Sequence, residues 1–502
     1  MNFPAAPCCW WLDNNTKDSI FIMPIVLASE HAMETTATPI RTVPFLERLR
    51  FRRGDRIGTL VGMARRHGDV ARVPWWGGIV KANIVSSADM VHEILVEQAD
   101  AFVKGYGLSY FARPLLGNGL LTSERDFHRR QRRMMAPAFV HKRIADYATV
   151  IGQRAEAAQQ GFGDGAVVDF SAAMMRMTLE IVGATLFGAE VGDEAEEIHA
   201  ALTAAMEQAT SALRAVVPIP PSWPTPGNRR GQKAIARLDR TVYRLIEERR
   251  REGGDRGDFL SMLLLAQDED DGSVMTDKQV RDEAMNIFLA GHETTANALA
   301  WTFYLLAQHP AIRERVEREA DEVLGGRTPT LADLPRLPFA LQVFKEAMRL
   351  YPPAFVVARR ATRDVIVGGH RMARNELAII NIVGMHRRPS YYAEPDRFDP
   401  ERWSPENEKS LNKRAFLPFG AGPRVCIGNH FAMLEGHLAV AALAQRVSLD
   451  LAPGSARIEP EPLITLRPRG GIPMLVRRRG AVPHARFRRG LASARGMHGA
   501  RS

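Results

Sequence analysis

Apolar residues recur at intervals of three and four along most of the chain. This spacing predicts helices over Leu60–His67, Ala88–Val96, Ile144–Gly161, Phe170–Leu186 and Asp193–Ala215. The longest such stretch begins where Thr276 and Gln279 have the spacing of a capping box, and it meets no proline before Pro310. It predicts a helix of about 30 residues, roughly 45 Å long, which would cross the whole molecule as a central helix.

The pattern changes to short β-like runs late in the chain. Strands are predicted at Ile84–Val85, Phe355–Ala358, Asp364–Val367 and Leu377–Ile380. A further helix is predicted from about Ile427 to Val447. The fold class expected is therefore mainly α with a smaller β-rich region.

A cluster of prolines lies between Val217 and Gly227. Such a cluster is typical of a linker between domains. The helical pattern resumes directly at Gln232, however, so an internal loop explains the cluster equally well.

Composition places the 502-residue chain among globular proteins, since 45% of its residues are hydrophobic and 25% are charged. These values exclude a disordered, collagen-like or disulfide-scaffold protein. The net charge is +10, but Arg477–Ser502 carries eight arginines and no acidic residue. The body is therefore nearly neutral, and no binding of nucleic acid is expected of it. The chain has only three cysteines, at 8, 9 and 426, which is too few for a disulfide framework and favours a reducing compartment.

The longest early apolar run, Ile20–Ala28, is too short to span a bilayer, which takes roughly 20 apolar residues. The acidic segment before it is a poor start for a signal peptide. We therefore predict a cytoplasmic protein without a transmembrane anchor. Residues 1–38 are expected to form a flexible extension, 39–478 the folded domain, and 479–502 a disordered basic tail.

The segment Phe419–Gly428 surrounds Cys426 with glycines and precedes a predicted helix start. Backbone N–H groups at a helix start stabilise a thiolate, and glycines allow close approach of a flat group. Val425 stands where a dinucleotide fingerprint needs its third glycine, and no second cysteine lies near enough for a zinc site. A cysteine hydrolase, or a plain loop with a buried cysteine, remains open from this segment alone.

The motif Phe419-x-x-Gly422-x-Arg424-x-Cys426-x-Gly428 resembles the haem-binding signature of the cytochrome P-450 superfamily, and it continues into Ala432 and Glu435. The resemblance covers roughly residues 40–478 and suggests a soluble, bacterial-like member. It implies the cytochrome P-450 fold, with haem b held between the long central helix and the cysteine loop. Cys426 would be the iron ligand, and the other four motif residues would bind the cofactor.

The middle of the predicted central helix reads Ala290-Gly291-His292-Glu293-Thr294-Thr295. Glu293 and Thr294 resemble the acid–alcohol pair of the family and would be the catalytic residues that deliver protons. Ala290 and Gly291 would pack against the haem. Glycine costs about 1 kcal/mol inside a helix, and a flat ligand against this face would explain its presence.

The resemblance assigns further charged residues by position. His128 and Arg132, four apart on one helix face, and Arg359 would contact the haem propionates. Glu346, Arg349 and Arg402 would form a buried charge network behind the haem, which is stable only if every partner is paired.

The implied activity is insertion of one oxygen atom from O2 into an apolar small molecule, by hydroxylation or epoxidation of a fatty acid, terpenoid, steroid or polyketide. Electrons would come from separate partners, either a ferredoxin with its reductase or a diflavin reductase. Two alternatives are a haem-thiolate isomerase or dehydratase that acts on peroxides, and a non-enzymatic haem sensor. The acid–alcohol pair favours the monooxygenase.

The surroundings of the site can be assigned only by family position. Phe111, Phe288 and Phe355 would line the substrate pocket, and the loop Pro218–Pro226 would cap its entrance. Arg113 or Lys104 would hold a substrate carboxylate. Three arginines beside Arg132 would present a cationic face to an acidic redox partner: Arg129, Arg130 and Arg133.

Overall fold

The computed structural model describes residues 38–480, except 76, 77, 191, 193, 215–218 and 456. These residues form fifteen α-helices: α1 (Phe45–Arg53), α2 (Arg56–Arg66), α3 (Ala88–His92), α4 (Arg113–Leu116), α5 (Arg125–Met135), α6 (His141–Gln160), α7 (Phe170–Leu186), α8 (Ala195–Arg214), α9 (Pro226–Glu252), α10 (Phe259–Leu265), α11 (Asp277–Gln308), α12 (Pro310–Leu324), α13 (Pro338–Leu350), α14 (Ile382–Met385) and α15 (Asn429–Arg446). They also form twelve β-strands: β1 (Val70–Trp75), β2 (Val80–Val85), β3 (Phe102–Lys104), β4 (Val167–Asp169), β5 (Val357–Ala361), β6 (Val365–Val367), β7 (His370–Met372), β8 (Leu377–Ile380), β9 (Val447–Leu451), β10 (Pro460–Pro462), β11 (Leu466–Pro468) and β12 (Pro473–Arg478).

The predicted central helix is present as α11, which is 32 residues long. Its N-terminus is closed by the predicted capping box, because the Thr276 hydroxyl accepts the Gln279 N–H and the Gln279 side chain accepts the Thr276 N–H. Every residue from 280 to 306 is buried except Ala290, Gly291 and Thr294. A helix that is apolar on most of its faces is stable only inside a protein, so the other helices pack around it. Among the described residues, no helix is both long and apolar enough to cross a membrane.

The remaining predicted helices are confirmed, with small shifts at their ends. The helix predicted over Phe170–Leu186 is α7 to the residue. α2 begins four residues earlier than predicted, because the Asp55 carboxylate accepts the Gly58 N–H at 2.8 Å and caps it. The helix predicted at Ala88–Val96 is α3 followed by a π-helical turn, Glu93–Glu97.

The largest sheet has the strand order β1-β2-β8-β5-β3. Its neighbours are antiparallel, except that β2 and β8 run parallel. The predicted strands fall on β2, β5, β6 and β8, with β5 beginning two residues later than expected. The register of β3 on β5 places Lys104 opposite Arg359, which matters for the site described below.

The C-terminal part of the described chain joins the helices through β12, which lies between β4 and β9. Arg479 follows this strand, and its guanidinium bonds to both oxygens of Asp321 while its N–H donates to the Arg446 carbonyl. The residue predicted to begin the tail is therefore anchored in the folded body. The rest of the predicted tail, 481–502, and the predicted extension, apart from Thr38, lie outside the described residues.

The proline-rich stretch is a loop inside the fold, because α8 and α9, which it joins, pack against each other. The Asn228 side chain donates to the carbonyls of Pro220 and Trp223, at 2.9 and 2.8 Å. The Thr225 hydroxyl caps α9 by accepting the Asn228 N–H. Residues 217 and 218 of this stretch lie outside the described part of the chain.

The close packing of α15 on α13 gives a first prediction. A Cβ at Gly436 would lie 2.1 Å from the ring of Phe344, which is almost fully buried. Alanine normally gains about 1 kcal/mol over glycine in a helix interior. Here Gly436→Ala must displace the ring, and overpacking of this kind costs about 1–3 kcal/mol. We expect Gly436→Ala to lower the thermal midpoint measured by circular dichroism.

The matched control is Gly227→Ala in α9, because a Cβ there meets no atom within 4 Å. This variant should keep or slightly raise the midpoint. Equal midpoints for the two variants would contradict the packing described.

Candidate functional site

The loop that carries Cys426 is closed by its own backbone. The Cys426 N–H donates to the Phe419 carbonyl and the Val425 N–H to the Gly422 carbonyl, both at 3.0 Å. Gly422 has a φ of +70°, and a Cβ on it would lie 1.9 Å from the Leu95 carbonyl oxygen of the π-helical turn. Only glycine fits this position, so the predicted glycine has a structural reason as well as a functional one.

The surroundings of Cys426 leave it accessible and also raise the pKa of its thiol. It is accessible to solvent, yet burial within the fold raises its pKa, against the opposing effects of the Gly428 N–H and the Arg132 guanidinium. α15 begins three residues after this cysteine and packs against α11.

The central helix has an accessible patch in its middle, formed by Ala290, Gly291 and Thr294, which we call the α11 window. Ala290 and Thr294 share a helix face, and the Thr294 hydroxyl donates to the Ala290 carbonyl at 2.8 Å. This bond inside the helix satisfies the hydroxyl proton and leaves the oxygen lone pairs free to accept.

Five basic groups gather close to the cysteine loop, and we call them the basic cluster: Lys104, His128, Arg132, Arg359 and Arg424. Glu124 is the carboxylate that balances them, through an ion pair with Arg424 and a 2.7 Å bond from the Lys104 backbone N–H. The Lys104 ammonium donates to the carbonyls of Leu120 and Ser123. Arg132 donates to the Val425 carbonyl at 2.8 Å, which ties α5 to the cysteine loop.

The electrostatics of the basic cluster show an excess of positive charge. Burial, followed by the charge of Arg424, lowers the pKa of Lys104 to about 7, of His128 to about 3 and of Arg359 to about 10. Like charges placed opposite each other across strands, as Lys104 and Arg359 are, destabilise a sheet. The site therefore suits a dianionic group, and the two propionates of a haem fit this requirement.

Glu293 and Thr294 are adjacent in α11 but have different partners. The buried Glu293 carboxylate accepts from the Thr465 hydroxyl and, at 2.7 Å, from Arg467 Nε on β11. The Oε2 atom of Glu293 has no hydrogen-bond partner among the described residues. No hydrogen bond joins the acid and the alcohol in this conformation.

Two residues expected at the cofactor and substrate side of α11 have contacts with α7 or with the residue that follows it. A Cβ at Gly291 would lie 3.0 Å from the Val182 side chain, so close helix packing gives this glycine a structural reason, and its contact with a flat ligand stays a prediction. Phe288 packs its ring against Phe187, with centroids 5.1 Å apart. Phe288 is therefore buried against the end of α7, and its place in the substrate pocket stays a prediction.

Phe355 and Phe111, the other two phenylalanines expected at the pocket, lie in different apolar clusters. Phe355 packs with Val383 and Leu466 in the small core between α2 and the large sheet, so its assignment to the pocket is not supported. Phe111 packs with Ala209 and Ala212 of α8, and Ile464 lies against this group. Of the three, only Phe111 lies at a position that can border a space beneath α8.

A saturated charge network joins α13 to the segment before the cysteine loop. Arg349 donates to both oxygens of Glu346 at 2.8 Å and to three backbone carbonyls, those of His386, Pro395 and Arg397. Glu346 also accepts from Arg402 at 3.3 Å and from the Trp403 indole at 2.9 Å. Because both charges are fully buried, removing one partner costs about 3–5 kcal/mol.

His386 extends this network to the cysteine loop and was missed by sequence reasoning. One ring nitrogen, Nε2, accepts the Leu417 N–H at 3.0 Å, and the other, Nδ1, lies 3.1 Å from the Arg349 carbonyl oxygen. Burial, followed by the charge of Arg349, lowers the pKa of His386 to about 3. The ring is therefore neutral at ordinary pH, as an acceptor at Nε2 and a donor at Nδ1.

The arginines expected to form a cationic docking face are paired within the chain. Arg129 pairs with Asp126 of its own helix. Arg130 and Arg133 pair with Asp268, and both reach further acidic residues of the loop that follows α10. This acidic loop neutralises the surface, so the described residues do not present the free positive face that the sequence suggested.

Two further residues of the site lie at inward positions of strands and were not assigned these roles by sequence reasoning. Lys104, which was expected to hold a substrate carboxylate, is buried near His128, one of the residues expected to contact the haem propionates. Arg467 pairs with the predicted acid. In β11, Arg467 alternates with the buried Leu466 and Pro468, and this pattern is the signal that could have found it.

Comparisons with known proteins agree with this geometry. A family model described as Cytochrome P450 matches residues 39–474. Cyclooctatin synthase of Streptomyces melanosporofaciens is 39% identical over 380 residues, which is 75% of this chain and 82% of that protein. Pentalenene oxygenase of Streptomyces avermitilis is 33% identical over 403 residues, covering 80% and 88%. The solved structure described as "Crystal structure of cytochrome P450DA heme domain" matches with a TM-score of 0.79 at 27% identity, covering 89% of this chain and 98% of that chain. The predicted fold class is confirmed.

The neutral, buried His386 predicts how stability depends on pH. In the unfolded chain His386 is protonated near pH 6.5, whereas in the folded chain it is protonated only near pH 3. The free energy of unfolding therefore falls as the pH falls between these two values. Each such group contributes about 1.4 kcal/mol per pH unit. His386→Asn should therefore reduce the slope of unfolding free energy against pH, between pH 6 and 4.5, by about that amount.

Denaturant unfolding at several pH values measures this slope. Identical slopes for wild type and His386→Asn would show that the ring is protonated in the folded protein.

Proposed function

Because this chain belongs to the cytochrome P450 family, whose model spans residues 39–474, we propose that it is a haem b monooxygenase that inserts one oxygen atom from O2 into a cyclic terpenoid. Family membership alone makes it a haem-dependent oxidoreductase. The observation that carries the haem b part of the proposal is the basic cluster beside an accessible thiol, because this pairing suits an iron porphyrin with two carboxylates.

Cys426 would hold the iron, and the basic cluster would hold the propionates. The haem supplies the oxygen-activating chemistry, which a thiolate ligand favours by pushing electron density toward the iron. His128, being neutral, can donate one N–H to a carboxylate without adding charge. The network of Glu346, Arg349 and Arg402, extended by His386, keeps the cysteine loop in place.

Thr294 and Glu293, both on α11, would deliver protons to the reaction. The Thr294 hydroxyl proton is committed to the Ala290 carbonyl, so its oxygen accepts a hydrogen bond from a water molecule in the α11 window and orients it. Glu293 would supply that water with a proton. This pair also argues against a peroxide isomerase, which needs no proton delivery of this kind.

The substrate class follows from the apolar surroundings and from the relatives. Phe111, Ala209, Ala212 and Ile464 form an apolar group beneath α8. Two relatives carry names that refer to apolar ring compounds, Pentalenene oxygenase and, at 38% identity, Cyclooctat-9-en-7-ol 5-monooxygenase of Streptomyces melanosporofaciens. A ferredoxin with its reductase, or a diflavin reductase, would supply the electrons.

The cysteine ligand gives the first test. Cys426→Ser, loaded with haem, should lose the carbon monoxide difference band that a thiolate ligand produces, because an alcohol oxygen is a far weaker donor to iron. The double variant Cys8→Ser/Cys9→Ser is the matched control and should keep the band. A panel of cyclic terpenoids, fatty acids and steroids, scored by the shift of the ferric haem spectrum, then tests the substrate class. Shifts produced by fatty acids alone would contradict the terpenoid assignment.

Thr294 gives a second test, this time of proton delivery. Thr294→Ala should bind haem and ligands normally but send a several-fold larger share of the electrons from NADH into hydrogen peroxide, because the orienting oxygen is lost. Thr302→Ala is the control, since Thr302 makes the same bond within the helix, to the Ala298 carbonyl, two turns away. An unchanged peroxide share in Thr294→Ala would remove the role assigned to this residue.

A further inference from the structure

The carboxylate of Glu293 is held by a residue that lies 174 positions further along the chain. Arg467, on β11, forms a buried ion pair with it, and the exposed fractions of the two side chains are 12% and 2%. Thr465, in the turn before β11, donates its hydroxyl to the same carboxylate oxygen, and Asn297 donates to that hydroxyl at 3.2 Å. The acid expected to deliver protons is therefore tied to the β10–β11 hairpin.

This ion pair is incompletely satisfied. The Oε2 atom of Glu293 and the Nη2 atom of Arg467 are buried without a hydrogen-bond partner among the described residues. A buried pair is stable only when its geometry is good and its remaining atoms are bonded. Because one direct hydrogen bond joins the two charges, a modest movement of either side chain is enough to separate them.

The third contact of Arg467 is with α8. Its Nη1 lies 3.4 Å from the Thr203 hydroxyl, and the ring of His199, on the same helix, faces the pair together with His292 of α11. The same helix contributes Ala209 to the apolar group around Phe111. α8 thus contacts both the apolar group assigned to the substrate and Arg467, which binds Glu293.

We propose that Arg467 is a positioning residue that holds Glu293 away from Thr294, and that its contact with Thr203 makes this hold depend on the position of α8. While the pair is formed, the carboxylate is a hydrogen-bond acceptor for Arg467 and hands on no proton. When α8 shifts over an occupied pocket, the pair opens. Glu293 then takes one proton from solvent and passes one to the water oriented by Thr294, so it returns to its starting charge.

This inference rests on the proposed function, because it assigns the release of a proton donor in that reaction. It adds that proton delivery waits for an occupied pocket, which limits the loss of electrons to peroxide in the empty enzyme. The recognition is electrostatic and specific to arginine, since a planar guanidinium can contact Glu293 and Thr203 at the same time whereas a lysine ammonium is a single point charge.

The first experiment measures the pair without measuring activity. In the haem-loaded protein, Arg467→Met should lower the thermal midpoint by several degrees, because it leaves a buried carboxylate unpaired. The double variant Glu293→Gln/Arg467→Met should recover most of this loss. Hydrogen exchange in α8 should increase in Arg467→Met and in Thr203→Val. Additive midpoint losses in the double variant would overturn the pairing.

The second experiment separates the positioning role from a merely structural one. It measures NADH oxidation by the haem-loaded enzyme with a bacterial ferredoxin and its reductase, and with no substrate added. Arg467→Met should raise this rate several-fold and reduce its solvent deuterium isotope effect, and Thr203→Val should do the same to a smaller extent. In the Glu293→Gln background, Arg467→Met should have no effect on either quantity.

Arg469→Met is the matched control, because Arg469 follows β11 closely and pairs with the exposed Glu459. It should leave the rate and the isotope effect unchanged. An unaltered rate in Arg467→Met, or an equal effect in the Glu293→Gln background, would overturn the inference while leaving the monooxygenase intact. Absence of any oxidation by the wild type, together with absence of the thiolate band, would instead refute the proposed function.

Discussion

The arrangement of this site depends on the cost of gathering like charges where water is scarce. Four cationic side chains converge on the neutral His128 from two strands, one helix and one loop: Lys104, Arg132, Arg359 and Arg424. Glu124 offsets only part of their charge. Like charges disfavour each other strongly in a medium of low polarity, so the cluster is stable only beside an anion. The pKa values of all five groups are lowered, with burial as the largest cause in each.

The central helix provides the opposite wall, and its burial determines where chemistry can occur. Between residues 280 and 306 it is accessible only at the α11 window. Behind the cysteine loop, Arg349 and His386 connect α13 to the Leu417 backbone through fully paired groups. Both walls therefore consist of buried side chains, and the ion pair of Glu293 with Arg467 connects the central helix to β11 and to α8.

Prediction from sequence succeeded wherever the signal was local. The capping box at Thr276, the periodicity of α7 and the spacing of the cysteine motif each depend on residues a few positions apart, and each is found as expected. It could not decide what each face of a helix meets. Phe288 lies on the helix that was predicted, but its ring packs on Phe187 at the end of α7.

The failures over charge have the same origin. Arg130 and Arg133 were expected to be free, but their partners lie more than 130 residues away, in the acidic loop after α10. Arg467 could not be linked to Glu293 from sequence, because a separation of 174 residues leaves no spacing rule to apply.

The sequence by itself determined the mainly α class, the central helix, the cysteine loop and the family, because these follow from periodicity and from a motif confined to ten residues. Only the tertiary structure decided which side chains meet: the basic cluster, the neutral His386, the neutralised arginines and the holding of Glu293. The physical reason is that burial and pairing between distant segments set the charge state and the orientation of each group. Neither property is written in the residues next to it along the chain.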